Sequence, residues 1–507
     1  MKHLASIVIV LVGTTFSAFG LDGQPGTHDP STVIECSGKY YCYGTGDGIP
    51  MMISDDGWTW RRAGTVMAGL PGGRPGEETL RYSGGNAGTG VWAPDVVKVG
   101  DKYLLYYALS GQNHRAVVGL LTNKTLDPNS PDYQWKDGGP VAWSLGEGVD
   151  DLHAIDPGVM VDPSKGTLWL VYGSYYGSIR LAQLDPKTGN RLAGQPADDT
   201  IVANQSEAPI LICHEGCYYL LTNKGTCCAG ATSTYNIRVA RSLSVKGPFL
   251  DDQGVDMARG GGTLFVASGD RKIGPGHFGL LDLGDGVQRF SCHYEADLDH
   301  SGSVLDIRPL LWRDGWPVPG DNVKPGAYQV MGQRSGTVLE LAVPGVPVTG
   351  GRGRGAMPGA TPDGTPGAAR TGGVRPAATV TQASQSWPAG PLEVRMAAYL
   401  LQAQQQWTIT PAPNAGGYPG SPYFKFTVAG TDRTLTTTED DEIMAMPSFT
   451  GAQTQLWRID QTADGSYRIA PKSAKDKLAL TSIGRSTVTL SSFTEDNPNQ
   501  RWLLSQP

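Results

Sequence analysis

The segment Asp151-Leu152-His153-Ala154-Ile155-Asp156-Pro157-Gly158-Val159-Met160-Val161-Asp162 places an acidic residue, Asp156, directly before a Pro-Gly pair and an apolar run. Two other segments repeat this order, Thr27-His28-Asp29-Pro30-Ser31 and Ser206-Glu207-Ala208-Pro209. In each segment a carboxylate is followed at once, or after one Ala, by Pro and then by a β-type run. We predict that the three carboxylates meet in one pocket and that the first 326 residues hold them there.

The composition indicates an all-β protein with more than one domain. A chain of 507 residues is too long for a single ordinary core, and it contains 69 Gly, 36 Pro, 12 Trp and 20 Tyr. Abundant turn formers and aromatic residues with few helix-favouring runs are typical of sheets joined by many turns. The formal net charge of -7 argues against nucleic acid as a partner.

Residues 1–20 are expected to be a secretory signal peptide. Lys2 supplies the positive charge, residues 7–12 form a short apolar run, and Ala18-Phe19-Gly20 offers small residues for cleavage. The alternative, a membrane helix, needs a longer apolar run. We therefore expect a secreted monomer, extracellular or periplasmic, with no membrane partner.

Seven cysteines are available for disulfides in an exported protein. Cys36 and Cys42 flank one turn, and Cys213 and Cys217 flank another, so each pair is a candidate bridge within its own hairpin. The adjacent pair Cys227-Cys228 is either a strained vicinal disulfide or two free thiols. Cys292 is left without an obvious partner.

Strand-like runs recur between residues 27 and about 317, each after a Gly-containing turn. Examples are residues 102–108, 167–172 and 217–222, and a second strand with small and polar residues follows each one. Four or five units of about 50–60 residues predict radially arranged sheets, that is, a propeller, with a sandwich as the alternative. In a propeller, acidic residues at the starts of the inner strands converge although they are far apart in sequence.

A second repeat follows the predicted propeller. Residues 343–390 form a low-complexity insert of Gly, Pro, Ala, Thr and Arg. Around it lie three Gln-x-Trp motifs, which end at Trp407, Trp457 and Trp502. Three equal units predict threefold pseudo-symmetry. Residues 327–507 thus resemble the ricin-B-type β-trefoil lectins, with the insert inside the first repeat, and the resemblance implies sugar binding.

The match to those lectins is incomplete at the positions that usually bind sugar. The Asp that a binding repeat carries after its first turn is matched here by Glu340, Thr436 and Ala479. A purely structural module is therefore the alternative for this region.

Three carboxylates in a secreted all-β protein rich in aromatic residues indicate sugar hydrolysis. Cleaving a glycosidic bond needs one carboxylic acid to protonate the leaving oxygen and one carboxylate to activate water or attack. A third carboxylate can raise the pKa of the acid. The alternative for any single Asp-Pro is an ordinary turn.

The three segments also resemble the signature blocks of family 43 glycoside hydrolases, and in particular those of the arabinanase branch. Residues 91–96 and 173–179 match supporting blocks, so the resemblance covers about residues 25–317. It implies a five-bladed β-propeller, here residues 21–326, that cleaves α-1,5-L-arabinan or a related pectic or hemicellulosic polysaccharide with inversion. Asp29 would be the general base, Glu207 the general acid and Asp156 the residue that raises the pKa of Glu207.

The resemblance also implies the surroundings of these acids. The implied groove residues are His28, Trp92, Ser174, Tyr175, Cys227 and Cys228, and the last two match an adjacent Cys pair that faces the substrate. His277 matches a histidine near the propeller axis that is associated with calcium or a similar ion, held mostly through water. The alternatives are an α-L-arabinofuranosidase or β-xylosidase on the same fold, or a carbohydrate-binding protein without activity.

Overall fold

The computed structural model describes residues 20–269, 271–297, 302–344, 387–474 and 478–506. Nearly all of the predicted signal peptide and most of the predicted low-complexity insert lie outside these residues. The described chain is all-β, as predicted, and its one α-helix is the single turn α1 (Glu77–Leu80). Within the described ranges, no helix has both the length and the apolar character needed to cross a membrane.

Five sheets follow one another along the first two thirds of the chain. Sheet I has the order β1-β6-β5-β3-β2, and sheet II has the order β10-β9-β8-β7-β4. Their strands are β1 (Asp22–Gly23), β2 (Ile34–Cys36), β3 (Lys39–Tyr43), β4 (Gly46–Asp47), β5 (Pro50–Ser54), β6 (Thr59–Thr65), β7 (Gly90–Val99), β8 (Lys102–Ser110), β9 (Ala116–Asn123) and β10 (Lys136–Ser144).

Sheets III, IV and V each consist of four consecutive antiparallel strands. Sheet III contains β11 (Gly158–Val161), β12 (Leu168–Tyr172), β13 (Ser178–Leu184) and β14 (Thr200–Asn204). Sheet IV contains β15 (Glu207–His214), β16 (Cys217–Lys224), β17 (Asn236–Ser242) and β18 (Thr263–Val266). Sheet V contains β19 (Lys272–Asp282), β20 (Gln288–Asp297), β21 (Val304–Arg313) and β22 (Trp316–Pro319).

The five sheets form a closed ring because a separate apolar core fills the space between each neighbouring pair. One core joins sheets I and II, and three more join II to III, III to IV and IV to V. The fifth core closes the ring from sheet V to sheet I, where residues 25–27 also pair with residues 303–305. The first strands β7, β11, β15 and β19 contact one another in turn. This is the arrangement of a five-bladed β-propeller, not of a sandwich.

The C-terminal region has its own core and a ten-stranded sheet with two additional hairpins. Its strands are β23 (Gly326–Gly332), β24 (Val338–Leu341), β25 (Leu392–Ala397), β26 (Trp407–Pro411), β27 (Gly417–Tyr418), β28 (Ser421–Pro422), β29 (Phe424–Val428), β30 (Thr434–Thr437), β31 (Ile443–Met446), β32 (Trp457–Gln461), β33 (Tyr467–Pro471), β34 (Leu478–Ile483), β35 (Thr487–Ser492) and β36 (Trp502–Ser505).

The three Gln-x-Trp motifs occupy equivalent places in this region. Each Trp is fully buried, and its indole N–H donates to a backbone carbonyl, that of Leu339, Leu435 or Leu480, at 2.8–3.1 Å. Donor and acceptor are 68 residues apart in the first unit and 22 apart in the other two, so the first unit contains an insertion.

The Gln side chains correct one sequence alignment. Gln405 donates to Glu340, Gln455 donates to Thr436, and Gln500 donates to Thr481. The position that corresponds to Glu340 in the third unit is therefore Thr481. The assignment of Ala479 was wrong by two residues because short turns leave the register of a hairpin open in the sequence.

Neither predicted hairpin disulfide is compatible with the structure. Cys36 pairs with Lys39, three positions before Cys42, so strand alternation puts the two sulfurs on opposite faces of sheet I. Cys36 lies in the core between sheets I and II, whereas Cys42 lies in the core between sheets V and I. Cys213 and Cys217 face different cores in the same way, and all seven cysteines are free thiols.

A buried ionic cluster joins the propeller to the C-terminal region. Asp460 accepts from Arg289 at 2.8 Å and from Arg468 at 2.7 Å, and both Arg side chains are almost fully buried. Asp285 accepts from Arg458 at 2.6 Å. Burial alone would raise the pKa of Asp460, but the surrounding guanidinium groups hold it far below its usual range. Sheet V and β32–β33 therefore share one set of compensated charges.

We predict that Asp460→Ala destabilises the protein by about 3–5 kcal/mol, because it leaves buried guanidinium groups without their counter-charge. Calorimetric unfolding should show a lower transition temperature. Asp321→Ala is the matched control, since the Asp321 carboxylate that pairs with Arg308 is largely exposed, and it should change stability by less than about 1 kcal/mol. Equal effects of the two substitutions would contradict the role of the cluster.

Candidate active site

In each of the five blades, a non-glycine residue with a left-handed backbone lies on or shortly before a strand near the propeller axis. These residues are Asp29 (φ 45°), Ala93 (φ 41°), Asp156 (φ 54°), Ala208 (φ 49°) and His277 (φ 55°). Four of them precede Pro, and those in β7, β15 and β19 coincide with β-bulges. Such conformations cost about 1–3 kcal/mol each and are concentrated at functional sites. Here they turn the chain at the same level of all five blades.

Asp29 is held between two imidazoles. Its Oδ2 lies 2.9 Å from His28 Nδ1, and its Oδ1 lies 3.0 Å from His277 Nδ1. The Thr45 hydroxyl donates to Oδ2 at 2.6 Å and accepts from the Ala93 backbone N–H at 2.8 Å, which links blades one and two. Burial favours the neutral acid, but His277 and His28 outweigh it and hold the pKa of Asp29 well below its usual range.

Asp156, which is buried, and Glu207, which is half-buried, lie on neighbouring blades. Asp156 Oδ2 accepts from the backbone N–H of Ala208, the residue after Glu207, at 3.1 Å. Burial raises the pKa of Asp156 to about 8, and the charge of Glu207 contributes to this rise. Burial also raises the pKa of Glu207, against an opposing hydrogen bond from Tyr235. The pair therefore retains a proton near neutral pH.

The three predicted carboxylates thus act on one another across the propeller axis and differ in charge state. Asp29 is ionised, and the Asp156–Glu207 pair holds a proton. A carboxylate that can accept a proton and a carboxylic acid that can donate one are the two groups that glycosidic bond hydrolysis requires.

His277 lies at the axis, where an associated ion was predicted. Burial would lower its pKa, but Asp29 raises it overall. Its Nε2 is buried and has no hydrogen-bond partner in the described part of the chain. This free imidazole nitrogen fits a water molecule or a hydrated ion. No group of three His, Cys, Asp or Glu ligand atoms among the described residues includes His277, so the residues fit only an ion held mostly through water.

The predicted groove residues differ in their access to a ligand. Trp92 and Tyr175 are 40% and 38% exposed, and the Tyr175 hydroxyl is fixed by the carbonyls of Asn223 and Gly225. Ser174 is buried, and its Oγ lies 2.8 Å from His153 Nδ1. This position does not fit direct sugar contact. Tyr176 is exposed and stacks on His114, with ring centroids 3.8 Å apart.

Cys227 and Cys228 lie beside His28, with their sulfurs 2.8 Å apart. The Cys228 sulfur is 4.0 Å from His28 Nε2, and its backbone N–H donates to Glu295 at 3.0 Å. The neighbouring Cys227 thiol and His28 lower the pKa of Cys228 to about 5. These contacts favour the thiolate form of Cys228.

Four residues at the site were not predicted as site residues. They are Thr45, Tyr235, Glu295 and His293, whose Nδ1 accepts from the Asp29 backbone N–H at 3.0 Å. His293 and Glu295 alternate on β20 and lie more than 260 positions from His28 and Asp29.

Comparison with known proteins identifies the family of this fold and site. The sequence model of glycosyl hydrolases family 43 matches residues 24–317, which include all three acids and nearly all of the five blades. The chain belongs to glycosyl hydrolases family 43. It is therefore a glycoside hydrolase, and the match ends before β23, so it does not include the C-terminal region.

This family 43 enzyme has two bacterial relatives whose alignment with it spans 86% of the relative's own length. The extracellular exo-α-(1→5)-L-arabinofuranosidase ArbA of Cellvibrio japonicus is 34% identical over 58% of the chain. The extracellular endo-α-(1→5)-L-arabinanase 1 of Bacillus subtilis is 33% identical over 57% of it. Among solved structures, an exo-1,5-α-L-arabinanase from a bovine ruminal metagenomic library is 34% identical with a TM-score of 0.54, covering 59% of this chain and 99% of its own.

We predict that iodoacetamide alkylates Cys228 of this family 43 enzyme at a rate that is nearly constant from pH 6 to pH 8. A thiol with a lowered pKa is already ionised at pH 6, whereas an ordinary thiol gains about tenfold in thiolate per pH unit. Peptide mass spectrometry of the reduced protein measures the rate. Cys42 and Cys292 are internal controls, because burial raises their pKa values to about 12. A tenfold rise per pH unit at Cys228 would contradict the assignment.

Proposed function

We propose that the protein is a secreted enzyme that hydrolyses α-1,5-linked L-arabinan with inversion of configuration. The single observation that carries this proposal is the arrangement of one ionised carboxylate, Asp29, and one protonated pair, Asp156 and Glu207, in a site of family 43. The substrate class is supported by relatives named for α-1,5-L-arabinan linkages, two of them described as extracellular. A solved relative from Cellvibrio cellulosa, 31% identical with a TM-score of 0.52, is described as complexed with arabinohexaose.

In the proposed mechanism, Asp29 accepts a proton from the attacking water and Glu207 donates one to the leaving sugar oxygen. His28, His277 and Thr45 hold Asp29 in place and keep it ionised. Asp156 keeps a proton on the pair while it accepts from the Ala208 N–H. A calcium or similar ion, held by His277 through water, would supply positive charge at the axis.

The relatives support both internal and terminal attack. They include an exo-acting arabinofuranosidase and an endo-acting arabinanase at nearly equal identity. Product analysis over time on debranched arabinan separates the two: a ladder of oligomers means internal cleavage, and one product from the start means terminal cleavage. Release of xylose from xylo-oligomers, and not of arabinose, would favour a β-xylosidase. A protein that binds arabinan without any product would be a binding protein.

For the C-terminal region we infer a β-trefoil over residues 327–507, joined to a catalytic domain over residues 21–326. The three equivalent Trp and Gln hydrogen-bond sets support this inference. Sugar binding by this region stays a prediction. Both carboxylate oxygens of Glu340 already accept hydrogen bonds within the protein, Oε1 from Arg395 and Oε2 from Gln405, which leaves less capacity for a sugar hydroxyl.

Glu207→Ala should lower kcat on arabinan by about 10²–10⁴-fold, because the leaving oxygen loses its proton donor. On an aryl arabinofuranoside with an acidic phenol the loss should be much smaller, since that leaving group departs without a proton. Asp29→Ala should lose activity on both substrates. Equal losses for Glu207→Ala on the two substrates would contradict the assignment of Glu207 as the acid. Proton NMR of the product first released by the wild type tests whether its configuration is inverted.

Activity should fall as the pH rises through about 8, because the Asp156–Glu207 pair then loses its last proton. The low pKa of Asp29 keeps the base ionised in mild acid.

Asp156→Asn should lower kcat severely. It should also move the alkaline limb of the kcat/KM profile to lower pH, because Glu207 loses its like-charged neighbour. An unchanged limb would contradict the proposed role of Asp156, and an unchanged circular dichroism spectrum confirms that the variant is folded.

A further inference from the structure

A second set of potential ligand atoms surrounds His28 Nε2, the ring nitrogen that does not face Asp29. His28 Nε2, Cys228 Sγ and Glu295 Oε1 all lie within 4.8 Å of one another. The Nε2–Oε1 distance is 3.3 Å and the Sγ–Nε2 distance is 4.0 Å. The three residues come from the N-terminal segment, the loop after β16 and β20, so the propeller ring itself brings them together.

These distances fit a tetrahedral zinc ion. With usual zinc bond lengths, the N and O ligands of a tetrahedron lie about 3.3 Å apart, and N and S ligands lie about 3.6 Å apart. The Nε2–Oε1 distance of 3.3 Å agrees with this geometry. The Sγ–Nε2 distance of 4.0 Å would have to shorten by a few tenths of an ångström through a movement of Cys228. One sulfur and one imidazole also favour zinc over calcium, which prefers oxygen ligands.

The ligands are held in place before any ion binds. Glu295 is buried, and its Oε1 accepts from the Cys228 backbone N–H at 3.0 Å and lies 3.6 Å from His293 Nε2. Cys228 itself has a left-handed backbone (φ 59°) and is exposed, so an ion can reach the sulfur from solvent. The solvent side leaves the fourth zinc position to water.

The other nitrogen of His28 connects this set of ligands to the reaction. His28 Nδ1 lies 2.9 Å from Asp29 Oδ2. A metal-bound histidine commonly donates its second N–H to a carboxylate, which fixes the ring and its tautomer. Here that carboxylate is the proposed base. An ion on Nε2 therefore lies one imidazole ring away from the proposed base, and it occupies His28 and Cys228, two of the residues predicted to line the groove.

We propose that His28, Cys228 and Glu295 form a Zn²⁺ site and that zinc bound there inhibits the hydrolase reversibly. Zinc would bind His28 Nε2 in place of a proton. The site is separate from His277 and the hydrated ion expected at the axis. The inhibitory part rests on the proposed role of Asp29, whereas zinc binding itself does not.

Calorimetric titration of the reduced, metal-stripped full chain with ZnCl₂ tests binding directly. One Zn²⁺ per chain is expected, and Co²⁺ in its place should give a thiolate charge-transfer band. Cys228→Ser and Glu295→Gln should each weaken zinc binding by at least about 10–100-fold. Cys213→Ser is the matched control, because it removes a thiol from blade four and should bind zinc like the wild type. Zinc binding that survives Cys228→Ser, or a cobalt complex without the band, overturns the site.

Steady-state hydrolysis in calcium-containing buffer tests the inhibition. Zinc should lower kcat of the wild type and of Cys213→Ser in parallel with occupancy, and a chelator that prefers zinc to calcium should restore it. Unchanged kcat at full occupancy overturns the inhibitory role while leaving the site. If no arabinan is cleaved even without zinc, the proposed function fails and the calorimetric result still decides the site.

Discussion

The contact of the Asp29 carboxylate with two imidazoles determines the charge of the whole site. Without His28 and His277, a buried carboxylate at the axis would take up a proton, as the Asp156–Glu207 pair does in the same surroundings. One set of neighbouring acids is therefore divided into a base and an acid by a single difference, the presence of adjacent cationic rings. Thr45 and the His293 ring then fix the base in orientation.

The propeller provides this division through its backbone. A left-handed residue in each blade turns the chain toward the axis, and the neighbouring blades supply the partners. Asp95 shows the same principle beside the site, since its carboxylate accepts from the Thr32 N–H of blade one and the Val159 N–H of blade three. Because carboxylates join the blades to one another, the ring and the acid cluster are stabilised together.

The sequence was sufficient for features that depend on local order. A carboxylate followed by Pro marked Asp29, Asp156 and Glu207, and regular Gln-x-Trp spacing marked the equivalent Trp positions. It was insufficient where a result depends on which face of a strand a side chain occupies. The hairpin disulfides were misjudged for this reason, whereas the alignment of Ala479 was misjudged because short turns leave the register of a hairpin open. His293 and Glu295 could not be linked to His28 because only ring closure brings them together.

The buried cluster of Asp285, Arg289, Arg458, Asp460 and Arg468 makes the C-terminal region more than an accessory on a linker. Accessory modules on flexible linkers can be exchanged between enzymes and search for polymer independently. Here the two regions share their counter-charges, so the C-terminal face keeps a fixed distance and orientation to the catalytic cleft. A polysaccharide bound to the C-terminal region would therefore reach the catalytic acids at a fixed distance from its binding site. Substitutions at the shared charges would affect both regions at once.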